Sequence, residues 1–475
     1  MVPVTDSRYR ALRMAAVRPR RTRVRRALLI LATVTATSLL SIALGPLLTA
    51  SRMPDPISAA RPTPQVAPTA PSDIDNGPRP ASAEPANQVP APPLAAHPVV
   101  ATIGVRPPER AGLTATPATR RSLQKRLDQL RERYGVPGIS VTILFPDGSS
   151  WVGVSGLANV AAKTPVTAST SFAIASVSKT FTAALVLALA QDGTIGLDVP
   201  VRTYLPDVKV NARITVRQLL DHTSGLRDYF FHPAIDKKLL TDRARVWNTT
   251  DAMKHVGKAY FKPGTGWHYS NTNYLVLGML AERVAGAPLA DQVRARFLDP
   301  LGLRHTWYQP TEEASADSAH GYRFESTSKD APAIDLSDGS PYMPFTSVVT
   351  AAAGAGAFAS NSTDLVRWAR ALYAGAVLSQ ESVDAMVGDI SRTALYKPRV
   401  PYGLGVQRQE IDGFASLGHS GRLLGFRSAV RWLPDEDVAI AVVTNQSRTD
   451  PGIFVRALLR TARAAGTCVN CTSQR

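Results

Sequence analysis

Phe172-Ala173-Ile174-Ala175-Ser176-Val177-Ser178-Lys179-Thr180-Phe181 sets a hydroxyl and an amine three residues apart, at the head of an apolar run that continues to Gln191-Asp192-Gly193. Positions i and i+3 share a helix face, so the spacing predicts Lys179 beside the Ser176 oxygen. A helix N-terminus adds unpaired N–H groups and a partial positive charge, both of which favour a developing alkoxide or oxyanion. The pattern Ser-x-x-Lys occurs three times, at Ser122, Ser176 and Ser326. Ser122 stands in a charged pattern and Ser326 in a polar run, so both read as surface serines. Only Ser176 leads into Ala183-Ala184-Leu185-Val186-Leu187-Ala188-Leu189-Ala190, apolar on every side and therefore a central, buried helix. A lysine there needs a chemical reason.

Outward from this helix the periodicities change. Before it, Leu123, Leu127, Leu130 and Tyr134 recur at helical spacing over residues 119–134. Ile139 to Phe145 reads as a strand, Pro146-Asp147-Gly148 as a turn, and Ser150 to Ala158 as the hairpin partner. After it, residues 213–385 carry helical patterns with long irregular connections. Strand patterns return only at Gly405 to Gln409, Ala415 to Gly418, Phe426 to Leu433 and Val438 to Val443, and a closing helix spans Phe454 to Ala465. The order predicts an α+β fold: an antiparallel sheet assembled from both ends of the chain, flanked by helices, with an inserted helical region. A cleft between the two parts is the natural site.

A serine and a lysine need a proton relay, an oxyanion hole and a means of substrate recognition. Tyr269, in His268-Tyr269-Ser270-Asn271 ahead of a helix, supplies a phenol that a nearby cation would make easier to deprotonate. It then serves as general base to Ser176 and general acid to the leaving group. Asn271 offers both a donor and an acceptor to a substrate amide. His419-Ser420-Gly421 lies between two strand patterns, where a glycine lets substrate backbone approach closely. The N–H of Arg422 pairs with that of Ser176 as a prospective oxyanion hole.

The ordered set Ser176-x-x-Lys179, Tyr269-x-Asn271 and His419-Ser420-Gly421 resembles the three-motif signature of the serine β-lactamase and penicillin-binding-protein superfamily. The Tyr-x-Asn form resembles the branch of class C β-lactamases, D-alanyl-D-alanine carboxypeptidases and related esterases. Leu220-Asp221-His222-Thr223-Ser224-Gly225-Leu226, Asn273 to Gly278, and Ala353-Gly354-Ala355-Gly356 support the likeness, which runs from about 119 to 465. The resemblance implies a β-lactamase/transpeptidase-like fold with Ser176 as acylated nucleophile and Lys179 and Tyr269 as its activating pair. It further implies Asn271 as substrate ligand and His419-Ser420 as the wall facing a substrate carboxylate, with no metal or cofactor. The third motif departs from the Lys-Thr/Ser-Gly of many β-lactamases: a permanent cation is replaced by one that titrates near neutrality. Carboxypeptidase, D-aminopeptidase and esterase all stay open, as does a penicillin-binding receptor that acylates and stalls.

The 475-residue chain carries a formal charge of +17, but residues 1–26 hold nine arginines against the single acid Asp6. The rest shows no basic patch interleaved with aromatics, which argues against nucleic acid as a partner. Residues 27–50 carry no charge and read as a signal anchor or a cleaved signal peptide, with the arginines cytoplasmic and the bulk outside. No cysteine lies near enough for a lipid anchor. Residues 51–118 form a Pro/Ala-rich disordered stalk, with 15 of the 36 prolines between 51 and 110. Residues 119–465 form the hydrolase domain and 466–475 a tail, where Cys468 and Cys471 read as a small disulfide loop. The expected protein is an extracytoplasmic serine acyl-transfer hydrolase that meets the membrane through its N-terminal segment. Its expected substrate is a peptidoglycan stem peptide or an ester.

Overall fold

The computed structural model describes residues 113–314, 317–326, 328, 330–388, 395 and 400–466. Segments 1–26 and 27–50, nearly all of 51–118, and Cys468 and Cys471 lie outside the described residues. Among the described residues, no helix is long and apolar enough to cross a membrane.

The first helix, α1 (Pro117–Tyr134), starts where Thr116 accepts from the Thr119 N–H and proline occupies the first turn. It stops at Gly135, whose φ of 56° suits a residue without a side chain. Strands β1 (Gly138–Leu144) and β2 (Ser150–Asn159) form the expected hairpin, and the short β3 (Thr164–Pro165) extends it. After β4 (Phe172–Ala173), a single 3₁₀ turn, Ala175–Val177, runs into α2 (Ser178–Gln191). The helical region includes α3 (Asn271–Ala285), β5 (Trp307–Tyr308), β6 (Tyr322–Arg323), β7 (Ile334–Asp335), β8 (Phe358–Ser360) and α4 (Ser362–Tyr373). The chain closes with β9 (Gln407–Ile411), β10 (Phe414–Leu423), β11 (Phe426–Leu433), β12 (Val438–Thr444) and α5 (Gly452–Gly466).

The seven-stranded sheet runs β3-β2-β1-β12-β11-β10-β9, antiparallel throughout, so both ends of the chain meet at the β1–β12 pair. The amide of Asn445 secures that seam: its oxygen accepts from Gly138 N at 2.6 Å and its nitrogen donates to Leu157 O. Leu123, Leu127 and Leu130 of α1 and Phe454, Leu458 and Leu459 of α5 cover one face of the sheet, against Val141, Ile440 and Val442. The other face packs Val430, Ala441 and Val443 toward α2 and the helical region. Burial on both faces explains why β12 reads as the continuous apolar run Val-Ala-Ile-Ala-Val-Val.

Two expectations need correcting. Strand patterns were expected to return only at the C-terminal end, yet β8 and β5 of the helical region form a small sheet with β4, which precedes α2, and β6 pairs with β7. Each has two or three residues, too few for an alternation to register. His419-Ser420-Gly421 also does not lie between strands: β10 continues through it, with His419 opposite Val430 and Gly421 opposite Ser428.

Gly421 sets how close the sheet comes to the Ser176 turn. A Cβ there would lie 2.2 Å from Ser428 Oγ and 2.3 Å from Ile174 O. Ser428 Oγ donates to that same Ile174 carbonyl at 2.6 Å, pinning the turn to β11. Gly421→Ala is therefore expected to lower stability by about 1–3 kcal/mol through overpacking, measured as a fall in the urea midpoint. An unchanged midpoint would mean that the turn is not held against the sheet in this way.

Candidate active site

Ser176 occupies the turn between β4 and α2, and the residue before it is held in an uncommon conformation. Ala175 has φ of 50°, a left-handed value that costs a residue with a Cβ about 1 kcal/mol or more. Several anchors hold it there: Ile174 N donates to Phe358 O, Phe358 N donates to Ser178 Oγ, and Ser428 holds Ile174. The strain is thus supported from β8 and β11, leaving Ser176 partly exposed at the start of α2.

Lys179 is fully buried one turn on. Its Nζ lies 3.3 Å from Ser176 Oγ, 2.8 Å from Asn271 Oδ1 and 2.6 Å from Ala355 O. The two carbonyl oxygens can only accept, so they retain two of the three ammonium protons. The third position faces Ser176, and loss of that proton turns a lone pair toward its hydroxyl. Burial lowers the Lys179 pKa to about 7, opposed by the charge of Asp228, which makes this loss accessible near neutral pH.

Asn271 begins α3, and both ends of its amide are engaged. Its oxygen takes Lys179, while its nitrogen donates to Asp228 Oδ2 at 2.9 Å. The amide expected to meet substrate is instead part of a relay from Asp228 to Lys179. Asp228 is itself buried; it also accepts from the Asn271 and Phe230 backbone, and burial raises its pKa. Sequence reasoning missed this acid. Its one signal was an aspartate placed directly before the aromatic run Tyr229-Phe230-Phe231.

Tyr269 lies with its ring 5.0 Å from Lys179 Nζ. Its hydroxyl is buried and near enough to Ser176 for a weak hydrogen-bonding influence, yet has no partner of good geometry among the described residues. The phenol was expected to deprotonate more easily beside the lysine. Burial does the reverse and pushes its pKa well above the usual tyrosine value. Tyr269 is thus a neutral proton donor in this arrangement, and Lys179 is the group poised as base.

His419 is corrected in the same direction. It is buried, and its Nδ1 lies 2.7 Å from Ser420 O, a carbonyl that requires the proton on Nδ1. Its Nε2 therefore accepts from the Tyr402 hydroxyl at 2.9 Å. Burial, then the neighbouring Lys179, pushes its pKa down to about 3. The expected titrating cation is a neutral imidazole with both nitrogens occupied. Ser420 also turns away from a free wall position: its N–H and hydroxyl both donate to Gln407 Oε1, at 3.1 and 3.2 Å. Arg422 is exposed one residue beyond Gly421, on the strand that closes against the Ser176 turn.

His222 was noted only as part of a supporting motif, but it organises the aromatic side of the site. Its φ is 66°, its Nδ1 accepts from Asn273 Nδ2 and Ser270 N, and its ring packs against Tyr269 at 4.3 Å and Tyr402 at 4.9 Å. Burial, followed by Lys179, lowers its pKa well below the usual histidine value. The lysine is thus surrounded by neutral rings and carbonyls, with Asp228 at one remove.

The profile of the family described as beta-lactamase matches residues 123–464. Over 354 residues the chain is 26% identical to penicillin-binding protein 4* of Bacillus subtilis, covering 72% of this chain and 75% of that protein. It is 26% identical over 331 residues to a D-aminopeptidase of Cereibacter sphaeroides, covering 68% of this chain but only 60% of that relative's length. Among solved structures, the D-amino acid amidase from Ochrobactrum anthropi SV3 in complex with D-phenylalanine superposes with a TM-score of 0.65 at 26% identity. That match covers 73% of this chain and 99% of the amidase.

The relay generates a pH prediction. If neutral Lys179 is the active form, kcat/KM rises through a pKa of about 7 as pH increases. Asp228 raises that pKa, so Asp228→Asn moves the limb to lower pH, while the isosteric amide keeps the plateau within about tenfold. A limb that stays in place in the variant removes Asp228 from the relay.

Proposed function

Because the chain belongs to the β-lactamase family of serine hydrolases, we propose that it hydrolyses amide bonds of D-amino-acid substrates through a Ser176 acyl-enzyme, in the manner of a D-alanyl-D-alanine carboxypeptidase. The observation that carries this reading is the three-way contact of Lys179 Nζ, in which two carbonyls retain protons and the third direction faces Ser176. In the proposed cycle Ser176 Oγ bonds to the substrate carbonyl carbon as its proton passes to Lys179. The oxyanion meets the N–H groups of Ser176 and Arg422. The C–N bond then breaks, the leaving amine takes a proton through Tyr269, and Lys179 restores the phenol. Water enters by the reverse sequence, and the released acid regenerates the serine.

The relatives support the D-configuration. A penicillin-binding protein, a D-aminopeptidase and a D-amino acid amidase share this domain with the chain. The proposal of an extracytoplasmic site of action rests on sequence: the arginine-rich head, the uncharged stretch 27–50 and the proline-rich stalk. That setting brings a peptidoglycan stem peptide within reach and makes the carboxypeptidase reading the first choice.

A second reading, hydrolysis at a free D-amino terminus or of a D-amino acid amide, is favoured by the neutral His419. A carboxypeptidase holds a substrate carboxylate, and both nitrogens of this imidazole are already occupied.

Intact-mass spectrometry after brief exposure to a fluorescent penicillin and, separately, to a p-nitrophenyl acyl ester tests the acyl-enzyme. We expect an adduct on Ser176, and Ser176→Ala to lose it together with about a thousandfold or more of ester turnover. Unchanged turnover in Ser176→Ala would refute the mechanism. Release of D-alanine from an N-acyl-D-Ala-D-Ala peptide supports the carboxypeptidase reading, whereas turnover confined to D-phenylalanine amide moves it to the amidase one. A persistent adduct without turnover identifies a receptor that acylates and stalls.

A further inference from the structure

Arg431, on β11, is a buried cation that the proposed chemistry does not use. It is only 3% exposed, and Nη2 donates to Gln407 Oε1 at 2.7 Å, while Nη1 has no partner among the described residues. Tyr373, at the end of α4, is 4% exposed, and its hydroxyl likewise has no partner among them. Both side chains line one cavity of about 1130 Å³ between the β9–β11 part of the sheet, the segment Gln380–Gly388 and the start of α5. Each also feels the other: the guanidinium lowers the proton affinity of the phenol, and the phenol raises that of the guanidinium.

These two groups share a chemical demand. A guanidinium has only N–H donors, and a phenol offers its proton to any acceptor. Even with its pKa lowered by burial to about 10, Arg431 is charged at neutral pH. The other charged residues lining the cavity, among them Arg408, Arg456, Asp384, Glu410 and Asp450, are all exposed. Arg431 alone carries its charge at depth. Asp450 favours the charged guanidinium, but from an exposed position, so the buried charge is only partly balanced, which is unfavourable.

We infer that Arg431 and Tyr373 form a binding site for a small oxyanion, a carboxylate or a phosphate, distinct from the serine centre. The free Nη1 and the phenol offer donors to either group, and release of Nη2 from Gln407 would complete the guanidinium fork. The site is connected to the third motif. Gln407 Oε1 accepts from Arg431 and from both the N–H and the hydroxyl of Ser420, next to His419. An anion that draws Arg431 away from Gln407 would loosen the same oxygen that positions Ser420.

The test is calorimetric titration of the full chain with inorganic phosphate and, separately, with acetate, at constant ionic strength. At least one of them should saturate a single site. Arg431→Gln should weaken binding about thirtyfold or more and Tyr373→Phe about tenfold, corresponding to the loss of charged and neutral donors. Tighter phosphate binding identifies a tetrahedral oxyanion as the ligand class, and tighter acetate binding a carboxylate. If the buried arginine variant does not fold, Tyr373→Phe, which removes one hydroxyl, decides alone. No saturable binding of either anion, or binding by Tyr373→Phe indistinguishable from that of the parent chain, overturns the inference.

Discussion

A lysine ammonium with no exposure to water is the constraint around which this domain is arranged. Burying such a charge is costly unless acceptors surround it. The acceptors come from separate parts of the chain: Ser176 one turn earlier, Asn271 at the start of α3 and Ala355 in the turn before β8. None of the three can move far without stranding the lysine. This links β11 of the large sheet, the helical region and the small β4-β8-β5 sheet into one folding unit, because each supplies or supports an acceptor. The left-handed Ala175 persists in the same network, held from β8 and β11.

Two opposing influences set the lysine's acidity. Burial favours the neutral amine, and Asp228, reached through the Asn271 amide, favours the ammonium. Complete burial without the aspartate would leave an amine too readily neutral to act as proton acceptor and donor in turn. A carboxylate in direct contact would fix the charge. An intervening asparagine provides an intermediate field, and its orientation is set because its oxygen must face the cation and its nitrogen the acid. The rings of Tyr269 and Tyr274, centred 5.0 and 5.3 Å from its Nζ, complete the enclosure with neutral groups.

Much of this was legible in the sequence, and the remainder was not for identifiable reasons. Leu123, Leu127 and Leu130 revealed α1, and the uninterrupted Val438-Ala439-Ile440-Ala441-Val442-Val443 revealed a strand buried on both faces. The serine–lysine spacing predicted their adjacency. Strands of two residues leave no period to read, so β4 and β5 were missed. Glycines 418 and 421 made β10 look as though it ended early, when they allow it to pass close to its neighbours. Asp228 lies 49 residues from Lys179 and acts through a third residue, a relation no local pattern encodes. The acidities of Tyr269 and His419 were misjudged because the sequence displays charged neighbours, whereas the deciding factor is burial by residues distant in the chain.

The fixed tautomer of His419 bears most directly on what the cleft can recognise. Its Nδ1–H is committed to its own strand and its Nε2 to Tyr402, so the wall offers a substrate no mobile proton and no charge. A substrate carboxylate brought there would meet the ammonium of Lys179 only by displacing carbonyls that already hold it, which would raise the lysine pKa and oppose its service as a base. Productive recognition at this wall therefore favours neutral groups, or a carboxylate held by backbone N–H at a distance from the lysine. The same burial that prepares Lys179 to take a proton from Ser176 thus restricts which groups of a substrate can face β10.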